Sequence, residues 1–325
     1  MQILILKPSS LGDIICALPV AQSIREQCPE AVISWVVKER FAEIVRRCPT
    51  VNGEILVFDH KKGLRGLPRL FRTIRDVGKH SYDVVLDFQG LLRTGLMAWR
   101  AKAPLKVGSV FAREGSRFAY NHVVPAPVGG RNTHAIEKLL QFLPALGLEP
   151  QLLGPIDIVG ESPDELDPRL VDTKPIVIVP NSRGVHKEWK YFPDLTAGII
   201  EQHPKSVVVW DSHLEWDDPV ISDLSRFINL TSQTSLLQMV ELLRRAQLVI
   251  ANDSGPLHIA AALGRPTLGL FGPTSPDRFG PYPLDHPRNN VLMAPGGDLT
   301  CLSCEDVLEK TREILPADDE LPKVA

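Results

Sequence analysis

The chain has 325 residues, 44% of them hydrophobic and 23% charged, with a formal net charge of −3. That length exceeds what one hydrophobic core usually supports, so two domains are expected. The charge balance gives no sign of whole-surface affinity for nucleic acid, and no apolar run reaches the roughly 18 residues that would cross a bilayer.

The first apolar run, residues 2–7, reads as a buried strand rather than a secretory leader. It lacks a basic leading region, and Lys7 and Asp13 interrupt it, which points to a cytoplasmic protein. Strand patterns follow at residues 32–37, 55–58, 84–88 and 106–108. Helical patterns fall between them at 14–27, 41–47, 67–77 and 91–100, and a last helix at 133–146 is closed by Gly147. The strands are continuously apolar rather than alternating, which implies burial on both faces, as in a parallel sheet covered by helices. Residues 149–174 carry several prolines and many acids without helical period and read as a linker, or as an edge strand plus linker. The grammar then restarts, with strands at 175–179, 206–210, 228–230, 248–251 and 267–271. Helices are expected at 193–202, 220–227, 235–245 and 255–263. Two β-α-β series predict an α/β chain of two doubly wound, Rossmann-like domains, residues 1–160 and 172–325, the second with a C-terminal helix.

In such sheets ligands bind beyond the carboxyl ends of the strands, so two sheets facing each other would place the site in the cleft between them. The polar clusters collect at those strand ends: Lys7 to Asp13, Asp87 to Gly90, Asn181 to Gly184 with Lys187, Asp211 to Glu215, and Asn252 to His258. In the last of these a buried strand gives way to Asn252-Asp253-Ser254-Gly255 and a small-residue helix. Amides at a helix N-terminus lack partners within the helix and carry partial positive charge, so that turn suits a phosphate. Gly255 allows close backbone approach, and Asp253 and His258 are placed to reach the same ligand. The same residues also read as a plain helix cap.

Four segments in this order, KPSSLGDIICALP from Lys7, DFQGLLRT from Asp87, HKEW from His186 and NDSGPLHIAAALGRPTLGLFGPTSP from Asn252, resemble the ADP-heptose:lipopolysaccharide heptosyltransferases of glycosyltransferase family 9. The resemblance spans most of the chain. It implies the GT-B architecture and inverting transfer of heptose from ADP-L-glycero-D-manno-heptose to the phosphorylated inner core of lipopolysaccharide. The acceptor would bind the N-terminal half and the donor the C-terminal half. An enzyme acting on a lipid-linked phosphorylated oligosaccharide without a membrane span is expected to work peripherally, at the inner face of the inner membrane.

The resemblance also assigns residues. Asp13, otherwise an N-terminal cap favoured by the helix dipole, takes the place of the general base that removes the acceptor hydroxyl proton. Lys187, in its lysine-x-tryptophan context, would stabilise charge on the departing diphosphate, with Lys190 ranked second. Ser182 and Arg183 match a phosphate-contacting position loosely. Glu215 matches a glutamate bonding the ribose, and Asp253, Ser254, Gly255 and His258 form the donor turn. For His258 a packing role stays open, as does a surface role for Glu215. Residues 60–75 are dense in lysine and arginine; Lys61, Lys62 and Arg65, with Gln89 and Arg93, are candidates for the acceptor phosphates. No D-x-D is present, so neither a metal bridging the diphosphate nor any cofactor is expected. Cys301 and Cys304 form a C-x-x-C with no second pair, for which a local structural role is expected. Thr234 departs from the larger apolar residue expected against an adenine. Two other readings remain: a related GT-B transferase using another nucleotide sugar, and a nucleotide-sugar-binding protein without turnover.

Overall fold

The computed structural model describes residues 1–58, 67–182, 184–203, 206–212, 216–221 and 223–315. The chain divides into two compact units, Met1–Ile158 and Val159–Ala325. In the first, β1 (Gln2–Leu6), β2 (Val32–Val37), β3 (Ile55–Val57), β4 (Val84–Asp87), β5 (Leu105–Ser109) and β6 (His122–Val124) make one sheet in the order β3-β2-β1-β4-β5-β6. Every neighbouring pair is parallel. Ile3 to Leu6 of the central strand are fully buried, the outcome expected when helices cover both faces of a parallel sheet. The crossovers are α1 (Leu11–Gln27), α2 (Ala42–Arg46), α3 (Leu67–Val77) and α4 (Leu92–Arg100), and α5 (Ala135–Leu140) packs back on α1.

The second unit repeats the plan. Strands β7 (Ile176–Val179), β8 (Val208–Trp210), β9 (Phe227–Asn229), β10 (Leu248–Asn252), β11 (Thr267–Phe271) and β12 (Asn289–Met293) run parallel in the order β12-β11-β10-β7-β8-β9. Their helices are α6 (Phe192–Gln202), α7 (Leu236–Arg245), α8 (Gly255–Ala262), the short α9 (Pro276–Phe279) and α10 (Cys304–Ile314). Both sheets reverse strand order beside their first strand, between β1 and β4 and between β7 and β10, which is where loops separate and leave room for a ligand.

Four elements differ from the sequence reading. The helix expected at 220–227 is absent among the described residues; a 3-10 turn at Leu224–Arg226 leads straight into β9. Val220 and Leu224 are strongly exposed, so the pattern has no face to bury, and the Asp223 carboxylate holds the Ser225 amide at 3.0 Å in a local turn. The helix expected at 133–146 stops at Leu140, and a separate 3-10 turn, Leu143–Leu146, begins around Pro144, whose missing N–H suits a first turn. Strands β6 and β12 escaped the sequence reading. Both are edge strands, and neither is a fully buried run.

Candidate functional site

In the first unit the register of the central strands builds the site. Ile5 lies opposite Leu86, so the residues just past both strands meet, and the Lys7 ammonium donates to the Phe88 carbonyl at 3.2 Å. Lys7 is buried and approaches Asp13 Oδ1 at 3.5 Å. Asp13 occupies the third position of α1, with Ser10 as the N-cap. Its Oδ2 accepts from the Ser10 amide at 2.9 Å and from the Ser10 hydroxyl at 2.6 Å. This is the carboxylate half of a capping box, so the capping reading of Asp13 is realised in the geometry. The capping geometry leaves the carboxylate accessible, since 47% of its side chain reaches solvent. Desolvation by the surrounding protein pushes its pKa up, but the Lys7 charge and the Ser10 hydrogen bonds outweigh that and hold it below the ordinary 3.8. Asp13 is therefore an ionised, reachable carboxylate beside a buried cation.

Asp87, at the end of β4, does different work. It is buried; its Oδ1 accepts from the Gln89 and Gly90 amides at 3.0 and 2.9 Å, and Oδ2 accepts from the Tyr120 hydroxyl at 2.7 Å. Gly90 takes a positive φ of 64° there, a conformation that favours glycine. Burial raises the Asp87 pKa despite these bonds. The result is a rigid turn presenting Gln89, whose buried Oε1 has no partner among the described residues, with half-buried Arg93 at the start of α4. Lys61, Lys62 and Arg65 lie outside the described residues.

In the second unit β7 and β10 pair with Val179 opposite Ala251, which brings Asn252 beside Pro180; its side-chain amide donates to the Pro180 carbonyl at 2.6 Å. The Asn252 side-chain oxygen Oδ1 accepts from the Trp189 amide at 3.2 Å, and the fully buried Trp189 indole donates to the Leu302 carbonyl at 2.8 Å. Burial of a side chain that size stabilises by about 2–3 kcal/mol, so the tryptophan of HKEW fastens the loop that carries Lys187. The Lys187 ammonium then reaches Asp253 Oδ2 at 2.8 Å, and the Thr274 hydroxyl donates to the same oxygen at 2.8 Å. Ser182 donates to the Asp253 carbonyl at 3.0 Å. Ser182, Lys187 and Asp253 are thus brought together with the start of α8, which carries Gly255 in its first turn and half-buried His258 one turn on. Ser254 is the N-cap, yet its hydroxyl makes no cap bond and is buried without a partner among the described residues. An orphaned donor beside free helix amides fits an anion. Arg183 and Glu215 lie outside the described residues, and Lys190 is exposed.

Two residues here carry contacts to which the sequence assigned no role. Thr274 stands in the quoted motif but shows its role only through a contact 21 positions back. Asp211, at the end of β8, is buried and accepts from the Thr234 hydroxyl at 2.7 Å; burial pushes its pKa up to about 6 against that hydrogen bond. Thr234 therefore pairs with an acid instead of offering an apolar surface. The signals in the sequence were the place of Asp211 at the head of the Asp211-to-Glu215 cluster and the departure at Thr234. Cys301 is exposed, and Cys304 is a half-buried thiol at the start of α10, raised to about 11 by burial and by Asp194 and Glu305. That shift disfavours the thiolate a reactive cysteine needs. Among the described residues no cluster of three metal-ligating side chains occurs, and no helix is long and apolar enough to cross a membrane.

The family described as glycosyltransferase family 9 (heptosyltransferase) matches residues 70–311. Lipopolysaccharide heptosyltransferase 1 of Pseudomonas aeruginosa is 31% identical over 98% of this chain and 90% of its own length. The lipopolysaccharide core heptosyltransferase OpsX of Haemophilus influenzae is 25% identical over 86% of this chain and 81% of its own. Among solved structures, E. coli heptosyltransferase WaaC with ADP superposes with a TM-score of 0.78 at 22% identity, covering 97% of this chain and all of that one. A second structure of that enzyme, with ADP-2-deoxy-2-fluoro heptose, gives the same TM-score at 24% identity. The two parallel six-stranded sheets with their helices are the GT-B fold of those enzymes.

Proposed function

The chain belongs to glycosyltransferase family 9, and from that premise we propose that it transfers heptose from ADP-L-glycero-D-manno-heptose to the phosphorylated inner core of lipopolysaccharide, with inversion. The relatives named for that reaction and the ADP and ADP-sugar held by the solved enzyme supply the substrate classes. One observation in this chain carries the mechanism: Asp13 is ionised and solvent-accessible at the end of the first sheet.

In the proposed reaction an acceptor hydroxyl oxygen attacks the anomeric carbon and the bond from that carbon to the diphosphate breaks. The hydroxyl proton passes to Asp13, a transfer that contributes about 10²–10⁴-fold in such reactions. Charge developing on the departing ADP falls to Lys187, to the Ser254 hydroxyl and to the amides that open α8. Asp253 takes one donor of the Lys187 ammonium and so fixes its direction, leaving two for phosphate oxygens. Gln89 and Arg93, with Lys61, Lys62 and Arg65, would hold the acceptor. The test is incubation of purified protein with ADP-heptose and a set of truncated cores, read by product mass. A core heavier by one heptose is expected, and its absence with every core overturns the proposal.

A second donor remains in play on one observation. The Thr234–Asp211 pair puts polar atoms where an adenine would meet an apolar side chain. Protection against heat unfolding by a panel of nucleotide sugars distinguishes the two, with ADP-heptose expected to shift Tm most.

A further inference from the structure

Among the described residues, the three most exposed aromatic side chains are Phe71 (62%), Trp99 (61%) and Phe118 (55%). All three lie on one layer of the first unit. Helix α3, helix α4 and the 3-10 turn Ser116–Ala119 pack side by side on the same face of the sheet. Their inward residues, Leu70 and Val77, Met97 and Ala98, and Ala119, share one core with Leu4, Leu6 and Val85 of the strands. Gly95 lets α4 approach the turn so closely that a Cβ there would lie 2.8 Å from that of Ser116. The opposite, solvent side of the layer therefore carries the aromatics together.

That side is also cationic. The three elements hold six arginines, Arg69, Arg72, Arg75, Arg93, Arg100 and Arg117, against one acid, Asp76, in a chain whose net charge is −3. Asp76 is itself engaged by Lys79 at 2.6 Å. Glu114, just before the turn, is drawn to the Leu92 amide at 3.1 Å. Exposed aromatic rings among arginines do not make a protein-core-like interface, which excludes charge from its centre. They match the headgroup level of a bilayer, where aromatic rings sit among lipid chains and glycerol while basic side chains meet anionic phosphates.

We propose that the outer face of α3, α4 and the 116–119 turn docks on an anionic lipid surface, with Phe71, Trp99 and Phe118 entering the interface and the arginines on its phosphates. The proposal rests on the reading above in one respect: a lipid-linked acceptor gives the chain a bilayer to meet. Of the arginines only Arg93 is also proposed to hold the acceptor, and the variants below leave it in place.

The test is co-sedimentation of the full chain with vesicles of phosphatidylcholine alone or with a quarter phosphatidylglycerol. Binding to the anionic vesicles is expected, with little to the neutral ones, and it should weaken as salt is raised. Trp99→Ala with Phe118→Ala, and separately Arg100→Ser with Arg117→Ser, should each lower partition roughly tenfold or more. Both pairs should keep their turnover on a lipid-free core. Should either pair fold poorly, Trp99→Phe serves instead: brominated lipid should quench wild-type emission and lose most of that effect in the variant. Equal binding to neutral and anionic vesicles, partition unchanged by the variants, or no quenching traceable to Trp99 overturns the proposal. A protein that failed to transfer heptose would still give the vesicle result, so the two readings fail separately.

Discussion

Both units place a lysine and an aspartate beside their switch points, yet the two pairs are built differently. In the first unit the pair is local and loose: Lys7 and Asp13 stand 3.5 Å apart and the acid side chain is 47% exposed. In the second it is distant in sequence and tight: Lys187 and Asp253 lie 2.8 Å apart, the acid is only 11% exposed, and Thr274 shares the same oxygen. An acid that must take a proton has to be reachable and to keep a lone pair for the substrate. Each acid gives one oxygen to two donors, but the Asp13 side chain stays half-exposed, whereas that of Asp253 is nine-tenths buried and arranges its neighbours instead. On the proposed mechanism the aspartate of the first sheet takes the proton, and that of the second holds the lysine that meets the leaving group.

The largest expected effect tests the first half of that contrast. Asp13→Asn keeps the size of the side chain and an acceptor for Ser10, but it removes the base. A fall in kcat of about 10²–10⁴-fold is expected, with a small change in Tm. Because the Asp13 pKa is depressed, its carboxylate is lost only as pH falls below the ordinary 3.8. The rate should accordingly show no acid limb from this group between pH 5 and 7. A variant with near wild-type turnover, or one that chiefly unfolds, would make Asp13 a cap like any other.

Next comes the tight pair. Lys187→Ala should lower kcat by about 10²–10³-fold through loss of charge on the leaving diphosphate. It should also weaken ADP binding, measured by calorimetry. Asp253→Ala should act mainly on stability and donor affinity, since it strands a lysine that is three-quarters buried. The double variant should then be less damaged than the sum of the singles. Strict additivity would break the pair and return Asp253 to direct substrate contact.

Much of this was legible in the sequence for a physical reason. Parallel strands buried on both faces must be continuous apolar runs, so IVIV at β7 and LVIAN at β10 announce themselves, and the first polar residues after them mark the site. Edge strands give no such run: β12 opens with Asn289-Asn290, and its residues are only partly buried or exposed. Long-range hydrogen bonds leave no spacing to read. Tyr120 with Asp87, Ser182 with the Asp253 carbonyl and Thr234 with Asp211 are separated by 33, 71 and 23 positions. Asp253 itself was legible as a ligand of the donor turn; that two side chains already share one of its oxygens was not.

Asp211 sharpens the comparison from a third direction, because it is a buried acid of the second unit hydrogen-bonded by a hydroxyl. Its pKa near 6 stands above the ordinary 3.8, so the folded state binds the proton more tightly than the unfolded chain. The contribution of Asp211 to stability is then greatest below about pH 4, declines between 4 and 6, and levels off above, a total loss from this group of up to about 3 kcal/mol. Urea unfolding of wild type and the Asp211→Asn variant at pH 4.5 and pH 8 isolates that slope as their difference. Asp211→Asn, which keeps an acceptor for Thr234, should flatten it and gain stability at pH 8. An unchanged slope would show that the Thr234 bond already compensates the buried charge.

The smallest expected effect decides what Thr274 contributes. Its hydroxyl donates to the oxygen of Asp253 that Lys187 also holds, so each donor limits where the other can sit. Thr274→Val replaces the hydroxyl by a methyl of similar size and leaves the ion pair intact. A hydrogen bond to a charged group is worth about 1.5–3 kcal/mol when well shielded, and the half-buried threonine should supply the lower end, about 1.5 kcal/mol. The ammonium would gain freedom, so ADP affinity should weaken by a few-fold while kcat at saturation hardly moves. If Asp253 were a reachable acid like Asp13, the valine would leave stability alone and alter the rate. A loss in stability with kcat preserved instead identifies Asp253 as the post to which the lysine is tied.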